Sequence, residues 1–253
     1  MPYFIYKDKD IFYDDIGSGS PLLLLHGNTA SSKLFDDVID LYRKDFKVIL
    51  IDFLGHGKSD RLDSFPVDFW YDQAKQAAAL IKHNNYKKVN IIGTSGGALA
   101  ALNIALEYGD LVNKVIADSF EGEKALDIVA EIIQNDRNHS KSNQSTVDFW
   151  YHNHGSDWED VVDNDTDVML RHHKLIGNFF HKDLSSLKLP VMLTVSLEDE
   201  FAEFVDFKLV YEQLGNKMDN SKLHFFQTGG HPAMLTNAKE FSDIAKKFFK
   251  GNS

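Results

Sequence analysis

The sequence predicts an α/β protein: a mostly parallel central sheet with helices on both faces, interrupted by one helical insertion. Three observations lead there. Short apolar runs of strand length alternate with segments of helical periodicity, joined by short connections, which is the pattern of parallel strands linked by crossover helices. The runs "LLLL" (Leu22–Leu25) and "FKVILID" (Phe46–Asp52) are apolar without alternation, as expected of strands buried on both faces. From Ser119 to Lys188 the rhythm stops, and helical signals continue without a strand.

The elements follow in order. "YFIY" (Tyr3–Tyr6) and "IFYD" (Ile11–Asp14) read as two strands around the polar turn "KDKD", and "GSGSP" precedes the Leu22–Leu25 strand. A helix is expected over Ser32–Tyr42, with Leu34, Phe35, Val38, Ile39 and Leu41 inward. After the Phe46–Asp52 strand, Val67–Asn84 has helical spacing. "KVNIIG" is a strand, the Ala/Leu-rich segment to Tyr108 a helix, and Asn113–Asp118 a strand. Within the insertion, "EKALDIVAEIIQ" predicts a helix with Ala125, Leu126, Val129, Ile132 and Ile133 on one side. A second helix is expected from "SDWEDVVDNDTDVMLRHH", opened by a capping box of Ser156 and Glu159, with Trp158, Val161, Val162, Asp165 and Met169 along one side. The sheet pattern resumes at "LPVMLTVSLED", followed by a helix near Phe204–Leu214, the strand "KLHFFQ" and a final amphipathic helix to about Phe249. The expected division is a core of residues 1–118 and 189–253, with residues 119–188 as a helical cap over the sheet.

Composition narrows the function. An apolar content of 43% argues against disorder, and no apolar run approaches the length of a membrane span. A formal charge of -11 without a Lys/Arg-rich block disfavours nucleic acid and anionic membranes as partners, leaving a small molecule as the expected one. The absence of cysteine excludes disulfides, thiolate metal sites and a cysteine nucleophile. The N-terminus shows no secretory pattern, so a cytoplasmic location is expected, as a monomer or homodimer and without a cofactor. "LGHGKSD" ends like a nucleotide-binding loop, but Asp52 stands where that loop needs glycine. Six histidines fall in the insertion (His139, His152, His154, His172, His173 and His181) without a metal-binding spacing, so no metal is expected.

The chemistry is concentrated in "GTSGG", Gly93–Gly97, which fits G-x-S-x-G between a strand and a helix. A sharp turn there aims the Ser95 hydroxyl away from the backbone, and the small neighbours avoid collisions with the adjoining elements. The helix start places the Gly96 N–H and the positive end of the helix dipole beside a reacting carbonyl.

With these residues in view, the chain resembles the α/β-hydrolase superfamily, in the branch with a helical cap. "LLLLHGN" (22–28), "LIDFLGHGKSD" (50–60), "IIGTSGGALA" (91–100), "TVSLEDEF" (194–201) and "TGGHPAML" (228–235) carry the resemblance in family order. That order, Ser then Asp/Glu then His, implies Ser95 as nucleophile, Asp199 as acid and His231 as base, with Ser196 standing where glycine is usual before the acid. Asp118 is the alternative acid, since some members draw theirs from that strand. The resemblance implies an oxyanion hole from the backbone N–H groups of Asn28 and Gly96. His26 and His56 precede the serine and are expected to shape their turns; His224 reads as a sheet residue. Ser95 departs from haloalkane dehalogenases, which carry a carboxylate at the elbow, and Gly96 from proline iminopeptidases, which carry Trp. The implied activity is a serine hydrolase of small esters. Thioester or carbon–carbon hydrolysis, a slow-turnover signalling module and a metal-dependent hydrolase are the alternatives.

Overall fold

The computed structural model describes residues 3–251. Its strands are β1 (Tyr3–Tyr6), β2 (Lys9–Gly17), β3 (Ser20–Leu25), β4 (Phe46–Ile51), β5 (Val89–Thr94), β6 (Val112–Asp118), β7 (Val191–Ser196) and β8 (Ser221–Phe226). They form one sheet in the order β1-β2-β4-β3-β5-β6-β7-β8. The pairs β1–β2 and β2–β4 are antiparallel, and every later pair is parallel. The helices are α1 (Phe69–His83), α2 (Gly96–Glu107), α3 (Asp127–Ser140), α4 (Gln144–His154), α5 (Trp158–Leu175), α6 (Phe207–Lys217), the single turn α7 (Ala233–Thr236) and α8 (Ala238–Lys250). None of the helices among the described residues is long and apolar enough to cross a membrane.

Alternation along the strands divides the core into two layers. Leu23, Leu25, Ile91, Val115 and Leu193 face the helices α1, α2 and α6. Their neighbours Leu22, Leu24, Ile92, Ile116 and Met192 face α8 and the segment after β3. A strand with a layer on each side has no solvent face, which is why these runs lack polar residues. Lys114 interrupts β6, yet its ammonium reaches out to the Phe248 and Gly251 carbonyls (3.0 and 2.5 Å) and closes the end of α8.

Four elements differ from expectation. Instead of a helix over Ser32–Tyr42 there are two 3₁₀ turns, Ser32–Phe35 and Ile39–Leu41. The apolar spacing is satisfied either way, and Phe35, Val38, Ile39 and Tyr42 are buried. The tighter path follows from local acceptors: the Asp52 carboxylate takes the Ser32 N–H (2.7 Å) and the Ser31 hydroxyl takes the Lys33 N–H (3.3 Å). In the insertion, α3 begins at Asp127, because the preceding residues pair with 177–179: the Ala125 N–H donates to Gly177 O and the Phe179 N–H to Glu123 O. Helix α4 had no clean periodicity in "QSTVDFWYHNH"; Asn143 caps it by accepting from the Thr146 N–H (3.2 Å). The Ser156–Glu159 capping box does not form. Asp157 is the residue before α5, and it makes no cap because Arg61 holds its carboxylate through two bonds (2.7 and 2.9 Å).

Phe241 on α8 lies parallel to Phe226 of β8, ring centroids 5.8 Å apart, and both are buried. Phe241→Ala therefore costs about 3–5 kcal/mol of stability, measured by urea unfolding.

Candidate active site

Strand β5 turns into α2 at one residue. Ser95 has φ 55° and ψ -127°, a backbone region that non-glycine residues occupy only under strain. Two bonds hold it there: the Ser95 N–H donates to Asp118 O and the Ala98 N–H to Ser95 O, each 2.8 Å. The flanking glycines have separate reasons. A Cβ on Gly93 would strike the Gly97 carbonyl, and one on Gly97 would strike the carbonyls of Leu25 and His26. One on Gly96 would strike the Asn28 side chain and the Trp70 indole. As the first residue of α2, Gly96 points an N–H that no earlier helical carbonyl can take.

His231 lies on the loop after β8, and its Nδ1–H donates to Asp199 Oδ2 at 2.8 Å. The other Asp199 oxygen accepts the Phe201 N–H (2.9 Å), so the carboxylate is held by its own turn after β7. Glu200 Oε2 accepts the His231 N–H at 2.6 Å and fixes the histidine backbone. Ser196, where glycine is usual, accepts from the Asn237 amide (3.0 Å), which also donates to Thr228 O. The departure thus adds a tie between the loop of Asp199 and the loop of His231. Burial by itself would lower the His231 pKa; the hydrogen bond and charge of Asp199, with Asp118 and Glu200, outweigh it and raise the value above 6.5.

Asp118 is fully buried and its oxygens are engaged elsewhere: Thr94 Oγ1–H (2.9 Å), Thr194 Oγ1–H (2.8 Å) and the Met234 N–H (3.0 Å) all donate to it. Burial pushes its pKa up to about 6 despite those donors. It joins β5, β6 and β7 at their ends, and of the two candidate acids it is Asp199 that bonds the His231 ring.

The turn after β3 is organised from the insertion. Asp165 of α5, fully buried, accepts from Asn28 Nδ2–H (2.9 Å), the Thr29 N–H (3.0 Å) and His56 Nε2–H (3.1 Å). Burial opposes its ionised form, but the His56 bond and charge, with Arg137 and Asn28, hold its pKa below the usual carboxylate value. The Trp70 indole N–H donates to Asn28 Oδ1 (3.2 Å), so both ends of that amide are fixed. His26 accepts the Phe53 N–H at Nε2 (3.2 Å) and donates from Nδ1 to Gly27 O (2.8 Å). His154 accepts the Gly57 N–H (3.1 Å) and donates to Thr29 O (3.0 Å). One donor and one acceptor per ring requires neutral imidazole, and burial, reinforced by His56, lowers both pKa values to about 3. His26 and His56 do shape their turns, and His224 lies in β8.

The insertion histidines disperse. His152 meets Asp36, His173 meets Asp127, His181 meets Asp68, and His172 stacks on Phe179. Among the described residues no group of three or more His, Cys, Asp or Glu is placed to hold a metal. Trp150 stacks on Trp158, and Phe179 packs against Trp70 in the core. Asp165 and Glu200 received no role from the sequence; an acid on the apolar side of α5 was the available signal for the first.

Ser95, Gly96, Asn28 and His231 line one cavity of about 340 Å³, whose remaining walls are mostly apolar. That is room for a small organic molecule. Asp165→Asn would turn an amide N–H toward groups that are already donors, so it costs about 2–4 kcal/mol in urea unfolding.

Comparison with known proteins follows the same lines. Residues 20–161, more than half of the chain, match the family described as the alpha/beta hydrolase fold. Human serine hydrolase BPHL is 26% identical over 252 residues, covering 95% of this chain and 83% of its own. An alpha/beta hydrolase enzyme from a Medee basin deep-sea metagenome library superposes with a TM-score of 0.77 at 22% identity, covering 99% of this chain and 98% of its own. The meta-cleavage product hydrolase CumD of Pseudomonas fluorescens superposes with a TM-score of 0.74 at 20% identity, covering 98% and 96%. The chain belongs to the alpha/beta hydrolase family.

Proposed function

We propose that the protein is a serine hydrolase of small carboxylic esters, working through an acyl-enzyme on Ser95. The observation that carries this reading is the 2.8 Å bond from Asp199 to His231, the histidine lining one cavity with the strained Ser95. In the first half-reaction His231 Nε2 takes the Ser95 proton as Oγ attacks the ester carbonyl carbon. The carbonyl oxygen becomes an oxyanion between the N–H groups of Gly96 and Asn28, each such donor contributing about 3 kcal/mol. Collapse of the intermediate expels the alcohol, which leaves with the proton from His231. In the second half, His231 deprotonates a water that attacks the acyl carbon, releasing the acid and restoring Ser95. Asp199 stays ionised throughout, fixing the Nδ1–H tautomer and stabilising the imidazolium. Asp165 acts indirectly, by keeping the Asn28 turn in place.

The likeness to CumD favours a second reading, hydrolysis of a carbon–carbon bond on the same residues. A panel of nitrophenyl esters, thioesters and vinylogous ketones separates the two by which bond is cut. Turnover that survives chelation counts against a metal-dependent hydrolase, and intact turnover at ordinary enzyme rates against a signalling module.

A fluorophosphonate is expected to label Ser95 in the native protein and to leave Ser95→Ala and His231→Ala unlabelled; strong labelling at another residue in either variant overturns the triad. Asp199→Asn is expected to lower kcat about 10⁴-fold, the loss seen when a triad histidine is left in the wrong tautomer. A comparable loss in Asp118→Asn, with Asp199→Asn active, would reverse the acid assignment. Because His231 acts as a base only when neutral and its pKa is raised, kcat/KM falls on the acid side with a midpoint above pH 6.5. Asp199→Asn shifts that midpoint down, read from a pH–rate profile.

A further inference from the structure

The cavity has one feature that ester hydrolysis does not use. Val129, Ile133 and Arg137 recur at every fourth residue of α3, on one side of that helix, and all three line the cavity. Where the stripe would continue with an aliphatic residue it carries a guanidinium. Arg137 as a whole is half-buried, but its Nε is fully buried and has no hydrogen-bond partner. Asp165 feels the charge of Arg137 but gives its Nε no hydrogen bond, its oxygens accepting from His56, Asn28 and Thr29. A buried charged donor left without an acceptor is costly unless a ligand completes it.

We propose that Arg137 is the anion-binding subsite of this cavity, and that the substrate is a monoanion whose carboxylate pairs with the guanidinium while its ester reaches Ser95. The inference deepens the reading of Ser95 as nucleophile by naming the substrate class. A planar fork of N–H donors matches a carboxylate in two parallel bonds. Arg137 is the sole Lys or Arg among the described residues lining the cavity, which suits a single negative charge rather than a phosphate dianion. The apolar walls between accept a hydrocarbon spacer. Glu121 is the sole carboxylate among the described lining residues, and burial pushes its pKa up against the pull of its own backbone hydrogen bond and of His231.

The test measures binding without turnover, by titration calorimetry of the Ser95→Ala protein with 4-phenylbutyrate and with its uncharged isostere 4-phenylbutyramide. The acid is expected to bind at least about tenfold tighter than the amide, as a charge-assisted bond predicts. Adding Arg137→Met brings the two within about twofold, and Arg137→Lys keeps part of the preference. An acid that binds no tighter than the amide, including failure of both to bind, overturns the subsite. So does a preference that persists in Arg137→Met. Fluorophosphonate labelling of the native protein reports on Ser95 separately, so loss of the nucleophile and loss of the anion site are distinct results.

Discussion

The closeness of the β5–α2 elbow to the turn after β3 governs the geometry of the site. Gly97 lies against the carbonyls of Leu25 and His26, Gly27 against Ser95 itself, and Gly96 against the Asn28 side chain and Trp70. No side chain larger than hydrogen fits between them at those points. The approach brings the Gly96 N–H and the Asn28 turn to one side of one hydroxyl. It also forces Ser95 into a strained conformation, worth about 1–3 kcal/mol. Two backbone bonds and the packed core on both faces of β5 hold that strain in place.

Around this contact the interior manages several ionisable groups in a consistent way. Asp52, Asp118, Asp165 and Asp199 are all buried, and each is met by backbone N–H or side-chain donors. Three of them serve geometry. Asp52 gathers the Ser32 and Lys58 N–H groups, Asp118 ties strand ends, and Asp165 joins the insertion to the Asn28 turn. Asp199 is the one whose bond goes to a histidine in the cavity. His26 and His154 are held neutral by the bonds they make, while His231 is raised by its carboxylate neighbours. The same residue types thus differ in protonation behaviour according to their hydrogen-bond partners.

The position of the insertion is part of this arrangement. Asn153, His154, Asp157 and Asp165 reach down from α4 and α5 and their junction, and meet Ser31, Thr29, Gly57, Arg61 and Asn28. A shift of α5 would pull on Asp165 and so on the turn that carries the Asn28 N–H. The α3 residues that line the cavity and the α5 carboxylate that supports the turn therefore belong to one bundle of helices.

The sequence by itself determined the sheet, the two-sided core and the elbow, and named Ser95, Asn28, Gly96, His231 and Asp199 as candidates for the site. Those features are local: apolar period, glycines with no room for a Cβ, and motif order along the chain. It preferred Asp199 as the acid with Asp118 as the alternative, because each lies at or just past a strand end, and a strand end does not say where a carboxylate points. It also missed the 3₁₀ turns after β3 and expected a capping box at α5. Asp52 and Arg61 decided those from elsewhere in the chain, by taking the backbone and side-chain groups a regular helix start would have used. The tertiary structure alone brought Asp165 to Asn28, Glu200 to the His231 backbone and Arg137 to the cavity wall. These are side-chain contacts between distant segments, and no local pattern records which distant donor a buried acceptor will meet.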